Sequence, residues 1–471
     1  MDASDVYDGA KRVTLKPSAG LNAYASYRLI VDSGLKSAAG EAILTGKVIR
    51  IRTGLDTSDK FPQISDEELL TKVQQQTFRY FWEGAEPTSG MARERTSSGA
   101  TVTTGGTGFG VMAMTVAAER GFVTRSEACQ RVQRIVTFLA ERATSYHGAF
   151  SHWIDGQTGQ TLPFSADDNG ADLVETGLLF QGLLTARAYF DGADAAESKL
   201  RADITALWEA VEWDFFTKEG TEKVLYWHWS PDKGWAMNMP IQGWNEALIV
   251  YVLAASSPTH PIGREVYAEG WARGGAMRNG KLFYDTVLPL GEDYGGPLFW
   301  AQYSFLGLNP RGLSDAYADY WEQVCNHTRI NYAYCVDNPK GYAGYGADCW
   351  GLTASDIPDG YTASSPTNDR GVIAPTAALS SMPYTPDESM AALRFFYYKL
   401  GDKLWSDYGF IDAFDLTTGW FDRGMHIAID QGPIVVMIEN YRTGLPWNLF
   451  MSDKDVQRGL AELGFTVEAG S

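Results

Sequence analysis

Residues 165–179, SADDNGADLVETGLL, bring three carboxylates together: Asp168, Asp172 and Glu175, at i, i+4 and i+7. On a helix turning about 100° per residue they fall within an arc of roughly 60°. The rest of that stretch, Leu173, Val174, Leu178, Leu179, Phe180, Leu183 and Leu184, is apolar nearly all round and reads as a buried helix. Acids on one stripe of a buried helix repel each other unless something polar faces them. Proton transfer or the binding of hydroxyl-rich ligands would use such a stripe. A structural account competes, because acids near a helix N-terminus gain about 0.3–1 kcal/mol from the macrodipole and Ser165 is placed to cap. It explains one or two acids, not a third among leucines.

Two further acids stand out. Glu246, in PIQGWNEALIVYVL, reads as one turn into another apolar helix, beside Trp244. A carboxyl there is desolvated, and its pKa rises toward the range a general acid needs. The competing reading is a capping Glu paired to an Arg. Asp430, in MHIAIDQGPIVVMIEN, marks the start of a last apolar helix with Pro433 in its first turn, and serves equally as a plain N-cap. Glu439 lies on the opposite face and reads as an ion pair with Arg442. The six histidines form no pair at i, i+3 or i+4, and DDNG (167–170) lacks the alternate spacing of a calcium loop, so no metal is expected. GGTGFG (105–110) is not the spaced glycine motif of dinucleotide sites, no nucleophile elbow is visible, and no cofactor is expected.

Those acids need elements to hold them. The chain has 471 residues, 45% hydrophobic and 21% charged, ordinary for a globular protein. Its net charge of −19 argues against nucleic acid and anionic membranes as partners, and no apolar run reaches a membrane span. Cys129 reads as a small buried hydrophobe, while Cys325, Cys335 and Cys349 lie in one region and leave a single disulfide open. Met1 is followed by Asp2, with no export signal in the chain as given. Among 15 Trp, 24 Tyr and 22 Phe, many Trp sit beside Gly, Pro, Asn or Asp, which suits stacking on sugar rings and equally suits capping the ends of helices.

Residues 1–56 read as strands at 12–16, 24–31 and 47–53, followed by a polar linker at 57–64. From Ser65, whose spacing to Glu68 makes a capping box, the pattern is helical through 65–471. Short connections alternate with long ones at 84–106, 145–167, 215–241, 274–297, 332–369 and 401–429. Loops of that length are uncommon unless functional or disordered, and these are too rich in Gly, Trp and Tyr for disorder. The rhythm makes about six helical hairpins with the long loops at one end. The more apolar helix of each pair follows a long loop. That is an (α/α)6 barrel, an all-α domain whose inner helices start at the mouth, preceded by a short β-rich segment. Carboxylates at such a mouth, walled by Trp and Tyr, fit glycoside hydrolysis, in which an inverting pair stands about 6.5–9.5 Å apart.

The segments ADDNGADLVETGLL, GWNEALIVYVL, EGWARGG, WGLTASDIPDGY, IAPTAALSSMPYTPDESMAALR and IDQGPIVVMIENYRTGLPW together resemble the bacterial glucoamylase-like domain family, which contains the β-1,2-glucanases of glycoside hydrolase family 144. The likeness covers roughly residues 65–466, and LKPSAGLNAYASYRLIVDSGLKSAAGEAI resembles the later half of a bacterial immunoglobulin-like module. The resemblance implies an (α/α)6 barrel, periplasmic or secreted, that cleaves β-1,2-glucan with inversion and no cofactor. Carried onto this sequence, it implies roles for Asp168, Asp172, Glu175 and Glu246. The expectation is an endo-acting monomer with Glu246 as general acid. Asp430 activates water directly or through a relay, Asp172 assists the acid, Asp168 and Glu175 hold sugar hydroxyls, and Trp153, Trp244, Trp350 and Tyr361 line subsites. An exo-acting enzyme releasing disaccharide, or one with another glucosidase or glucoamylase-like activity on a different glucan, is the nearest alternative, and a non-catalytic glycan-binding protein is an alternative of another class.

Overall fold

The computed structural model describes residues 3–8, 12–22, 25–37, 39–42 and 45–468. They form two units, Met1–Phe61 and Pro62–Ser471. In the first, β1 (Ala3–Asp8) pairs antiparallel with β2 (Arg12–Pro17), and β3 (Ser26–Val31) with β4 (Lys47–Arg52). The described strands form two separate hairpins, and none of the described side chains of residues 15–61 is buried. A sandwich needs two inner faces packed on each other, and the described residues of this segment show none.

The second unit is built on helices: α1 (Asp66–Trp82), α2 (Thr104–Glu119), α3 (Arg125–Glu141), α4 (Leu173–Tyr189), α5 (Ala195–Glu209), α6 (Leu248–Ser256), α7 (Tyr320–Asp337), α8 (Pro375–Leu379), α9 (Pro386–Arg394), α10 (Gly401–Leu404), α11 (Ala428–Arg442), α12 (Leu445–Met451) and α13 (Lys454–Leu463). α2, α4, α6, α8 and α11 are buried on nearly every side. With two short 3-10 turns over 298–306 they make the inner ring. α2 packs on α4 and α11, α4 on α6, α6 on the 303–306 turn, and α8 on α11. Gln302 joins the 298–306 segment to α8, donating to Ala377 O at 3.0 Å and Ser381 Oγ at 2.9 Å. Outside lie α1, α3, α5, a π-helical turn at Val266–Trp271, α7 and α9. This is the (α/α)6 barrel, with inner and outer elements alternating along the chain. Ser65 and Glu68 form the expected capping box at the start of α1.

Two of the acid-bearing helices start later than the placement of their acids suggested. α4 begins at Leu173, leaving Asp168 outside it, because Ala171–Asp172 pairs with His228–Trp229 and Asp172 then caps the helix. α6 begins at Leu248, after a turn through residues 243–247. Glu439 pairs with Arg120 at 2.7 Å, whereas Arg442 bonds Gln74, Thr71 and Glu67. The four cysteines are buried free thiols, so the disulfide left open is not formed.

The closest helix contact explains the glycine run at 105–110. A Cβ on Gly108 would meet Leu178 O at 2.3 Å, and one on Gly182 would meet Gly108 O at 2.0 Å, so the backbones of α2 and α4 touch. Gly110 makes the same room for Phe81, whose ring a Cβ there would meet at 2.5 Å. Gly182→Ala is expected to force the two helices apart and cost about 1–3 kcal/mol, in the range of overpacked cores. A drop in Tm by calorimetry would register it, and an unchanged Tm would show that this crossing has slack.

Candidate active site

The long loops fold as short hairpins around the N-terminal ends of the inner segments. They enclose a cavity of about 370 Å³. Its wall draws Thr103 from the start of α2, Val174 and Glu175 from α4, Glu246 from the turn before α6, Phe299 and Tyr303 from the 298–306 segment, and Ile427 and Ile429 from α11. Glu94, Arg95, His152, Trp153, Phe164, Trp227, Ala354 and Tyr361 arrive on loops.

Asp168, Asp172 and Glu175 do converge, but not as a helical stripe. Asp168 lies in the loop, Asp172 is the N-cap of α4, and Glu175 is in its first turn. Asp172 Oδ1 accepts from the N–H groups of Val174 at 3.0 Å and Glu175 at 2.9 Å. Its Oδ2 faces His152 Nδ1 at 3.4 Å and His228 Nε2 at 3.7 Å, and His228 Nε2 also lies 3.4 Å from Asp168 Oδ2. Glu175 reaches across to the next inner helix. Its Oε2 accepts from Gly105 N at 2.6 Å and Thr103 Oγ1 at 3.3 Å, satisfying an amide at the N-terminus of α2. Gly105 permits this, since a Cβ there would stand 2.7 Å from that oxygen.

The cation between these acids is His152. Burial works against its charge, but Glu175, Asp172 and Asp168 overcome that and raise its pKa to about 9. Burial likewise raises Asp168 and Glu175, while Asp172, though buried, is lowered by the bond to His152 and the nearby charge of His228. The histidines were missed in the sequence because their partners are 16–60 residues away, outside any helical spacing.

Glu246 is the cavity's most perturbed acid. It sits on the turn before α6 rather than within the helix, and its backbone carbonyl accepts from Ser304 Oγ, which also receives Ile249 N–H at 3.0 Å. Burial, with the negative Asp172 and Glu175 nearby, pushes its carboxyl up to about 7. Asp430 is the third residue of α11, whose N-cap is Ile427. It is buried behind the wall, 1% exposed, and does not line the cavity. Tyr303 does, and its hydroxyl donates to Asp430 Oδ1 at 3.4 Å. Burial pushes Asp430 up to about 7. Burial and the neighbouring Asp430 carboxyl raise Asp412 well above the usual carboxylate range, and among the described residues neither Asp412 Oδ1 nor Asp430 Oδ2 has a hydrogen-bond donor. Asp412 Oδ2 accepts from Asp356 N at 2.8 Å, and Asp356 binds Arg95 Nη1 at 2.8 Å, which is paired with Glu94.

Trp153 and Tyr361 line the cavity. Trp153 packs on Phe164, and Tyr361 is 51% exposed. Trp244 and Trp350 do not. Trp244 is buried against Phe305, Tyr320 and His327, and Trp350 is buried with its indole N–H on Glu388 O. Their polar sequence neighbours lie in turns, while the rings fill the core beneath. Among the described residues, two groups bring metal-type ligand atoms within 4.8 Å of one another, His152–Asp168–Asp172 and Asp356–Asp412–Asp422. In the second group Arg95 Nη1 already bonds both carboxylate oxygens of Asp356, at 3.0 and 2.8 Å.

His152→Gln removes the cation between Asp172 and Glu175. A His raised by acidic partners stabilises fully below its unfolded value of about 6.5 and loses that contribution as pH rises through about 9. The Tm gap between wild type and variant is therefore expected to be wide at pH 6–7 and to close toward pH 10. A gap independent of pH would reduce His152 to packing.

Residues 238–454 match the family model described as "Putative glucoamylase". A curated relative, the exo beta-1,2-glucooligosaccharide sophorohydrolase (non-reducing end) of Parabacteroides distasonis, is 48% identical over 421 residues; these are 85% of this chain but 58% of the relative's length. The solved endo-beta-1,2-glucanase of Chitinophaga pinensis, in complex with sophorotriose and glucose, is 51% identical with a TM-score of 0.84, covering 86% of this chain and 99% of that one. A beta-1,2-glucanase structure from Parabacteroides distasonis is 45% identical with a TM-score of 0.83, over 91% of this chain and 63% of that one. Half identity over nearly the whole of the Chitinophaga enzyme, on the same barrel, means that the chain belongs to the glucoamylase-like family of glycoside hydrolases that includes the β-1,2-glucanases.

Proposed function

We propose that the protein hydrolyses β-1,2-glucan within the chain and with inversion. The observation that carries this is Glu246, a carboxyl on the cavity wall whose pKa is lifted to about 7 by burial and by Asp172 and Glu175. A carboxyl still half protonated at neutral pH suits a general acid. In the proposed step the Glu246 proton passes to the glycosidic oxygen as the bond from the anomeric carbon breaks. Water attacks that carbon from the opposite face and gives its proton to the Tyr303 hydroxyl, which passes its own to Asp430. Asp430 is thus a base reached through a relay, because only Tyr303 of that pair lines the cavity. The pair Asp412–Asp430, holding one proton, still carries one negative charge and accepts the second. Trp153, Phe164, Trp227 and Tyr361 offer ring faces to sugars, and the Glu175–Asp172–His152 network keeps negative charge beside Glu246. Exo release of disaccharide is the second reading, supported by the name of the 48% identical relative.

Glu246→Gln is expected to lower kcat by about 10²–10⁴-fold with an unchanged circular dichroism spectrum. Near-normal turnover would remove Glu246 from the chemistry. Because the acid must be protonated, wild-type kcat/KM is expected to fall as pH rises past about 7, and the Gln variant to lose that limb.

Tyr303→Phe cuts the relay and is expected to lower kcat by orders of magnitude with little change in KM. A variant that turns over normally would mean that water is activated elsewhere, with Glu175 the next acid on the wall. Digests of β-1,2-glucan, starch and β-1,3-glucan test the substrate. A ladder of β-1,2 products supports endo cleavage, disaccharide alone supports the exo reading, and binding without new reducing ends supports a glycan-binding protein.

A further inference from the structure

Ser304 is fully buried and does not line the cavity, so it touches no substrate. Both bonds of its hydroxyl nevertheless lead to the acid. Ser304 Oγ donates to the backbone carbonyl of Glu246 and accepts from the N–H of Ile249 at 3.0 Å. Ile249 is the second residue of α6, and the first amides of a helix have no partner inside it. α6 has no capping side chain of its own, since its N-cap residue is Ala247. A serine from another inner segment therefore supplies the cap, and the same hydroxyl ties down the peptide that carries the Glu246 carboxyl.

The segment that bears Ser304 is itself held from several sides. The other inner elements are α-helices, whereas this one is two 3-10 turns, Leu298–Ala301 and Tyr303–Leu306. Such a segment leaves carbonyls without the i+4 amide that a continuing α-helix supplies. Side chains from elsewhere take them. Tyr384 Oη donates to Ala301 O at 3.0 Å, Gln181 Nε2 to Tyr303 O at 2.9 Å, Trp447 Nε1 to Phe305 O at 2.7 Å and Asn440 Nδ2 to Leu306 O at 2.9 Å. Gln181, on α4, also accepts from Gly307 N at 2.8 Å, so one side-chain amide spans both ends of the second turn. Within that turn Tyr303 and Ser304 are consecutive, with Cα atoms about 3.8 Å apart. Tyr303 sets its ring on the cavity wall with its hydroxyl on Asp430, and Ser304 holds Glu246.

We propose that Ser304 is a positioning residue: by fastening Glu246 to the turn that bears Tyr303, it sets where the proton donor stands relative to the water-activating side. The proposal rests on the reading of Glu246 as general acid and deepens it. A cap that served stability alone would affect every substrate alike. A bond that places the acid affects only the proton transfer to the leaving oxygen. Misplacing a reacting group by about 1 Å lowers rates by up to about 10²-fold, so the loss of this one hydroxyl is visible in turnover.

The test measures Ser304→Ala, in wild type and in the Glu246→Gln protein, on two substrates. One is β-1,2-glucan; the other is a β-1,2-glucooligosaccharide with a nitrophenyl leaving group, which departs with little protonation. On glucan the expected result is a kcat lowered by about 10–10²-fold with KM changed by less than about two-fold. The nitrophenyl substrate is expected to lose little. In the Glu246→Gln protein the Ala change is expected to add almost nothing, because the group it positions is gone. Equal loss on both substrates, losses that multiply in the double variant, or unchanged turnover on glucan would reduce Ser304 to a helix cap and overturn the proposal. If Ser304→Ala lacks the wild-type circular dichroism spectrum, Ser304→Cys, which fills the space with a weak donor and acceptor, is measured under the same criteria. Near-normal turnover of Glu246→Gln would strike the reading of that residue as the acid, and its positioning by Ser304 with it, whereas multiplied losses strike the positioning alone.

Discussion

Five of the inner segments begin at one mouth, and their first turns leave N–H groups that no helix can satisfy internally. The carboxylates of the site answer that need before they do any chemistry. Asp172 closes its own helix, and Glu175 closes the neighbouring one by reaching Gly105 and Thr103. Helix starts aimed at one space carry partial positive charge, and that field lets so many acids be buried side by side. Part of what it does not neutralise is met by His152 and by Arg95, while burial raises the pKa of Asp412 and Asp430.

The acids divide into two sets by how they are balanced. On one side, Asp168, Asp172 and Glu175 surround histidines and hold a fixed cation. On the other, Asp356 is paired with one arginine, and burial raises the pKa of Asp412 and Asp430. Glu246 stands beside the first set and Tyr303 opens onto the second. The proposed reaction, in which Glu246 gives a proton and the Tyr303–Asp430 side takes one, would use that asymmetry.

The sequence made the barrel legible because its signal is long-range rhythm: apolar helices after long loops, repeated about six times. Glu246 was legible because a charged residue in GWNEALIVYVL has few structural excuses. Asp168, Asp172 and Glu175 were singled out for a reason the fold discards, since the pairing of Ala171–Asp172 with His228–Trp229 lets the helix start only at Leu173, after Asp168 and Asp172. The histidines and Arg95 were not legible, because each finds its partners through loop geometry rather than spacing. Trp244 and Trp350 misled for the converse reason: polar neighbours in sequence say where the backbone turns, not where an indole points. GGTGFG was set aside as a failed nucleotide motif, and its glycines are packing residues that let α2 touch Leu178, Phe81 and the Glu175 carboxylate.

Glu246 is carried by a turn and fastened to Ser304, not built into a helix. A side chain on a helix moves only in jumps of about 100° and 1.5 Å when the sequence around it shifts register. One on a pinned turn is adjusted continuously by the length and composition of the loop before it. Within this barrel the position of the Glu246 carboxyl is therefore a property of the 215–247 connection, and can shift without repacking the core. Engineers who wish to move it should lengthen or shorten that connection and keep Ser304.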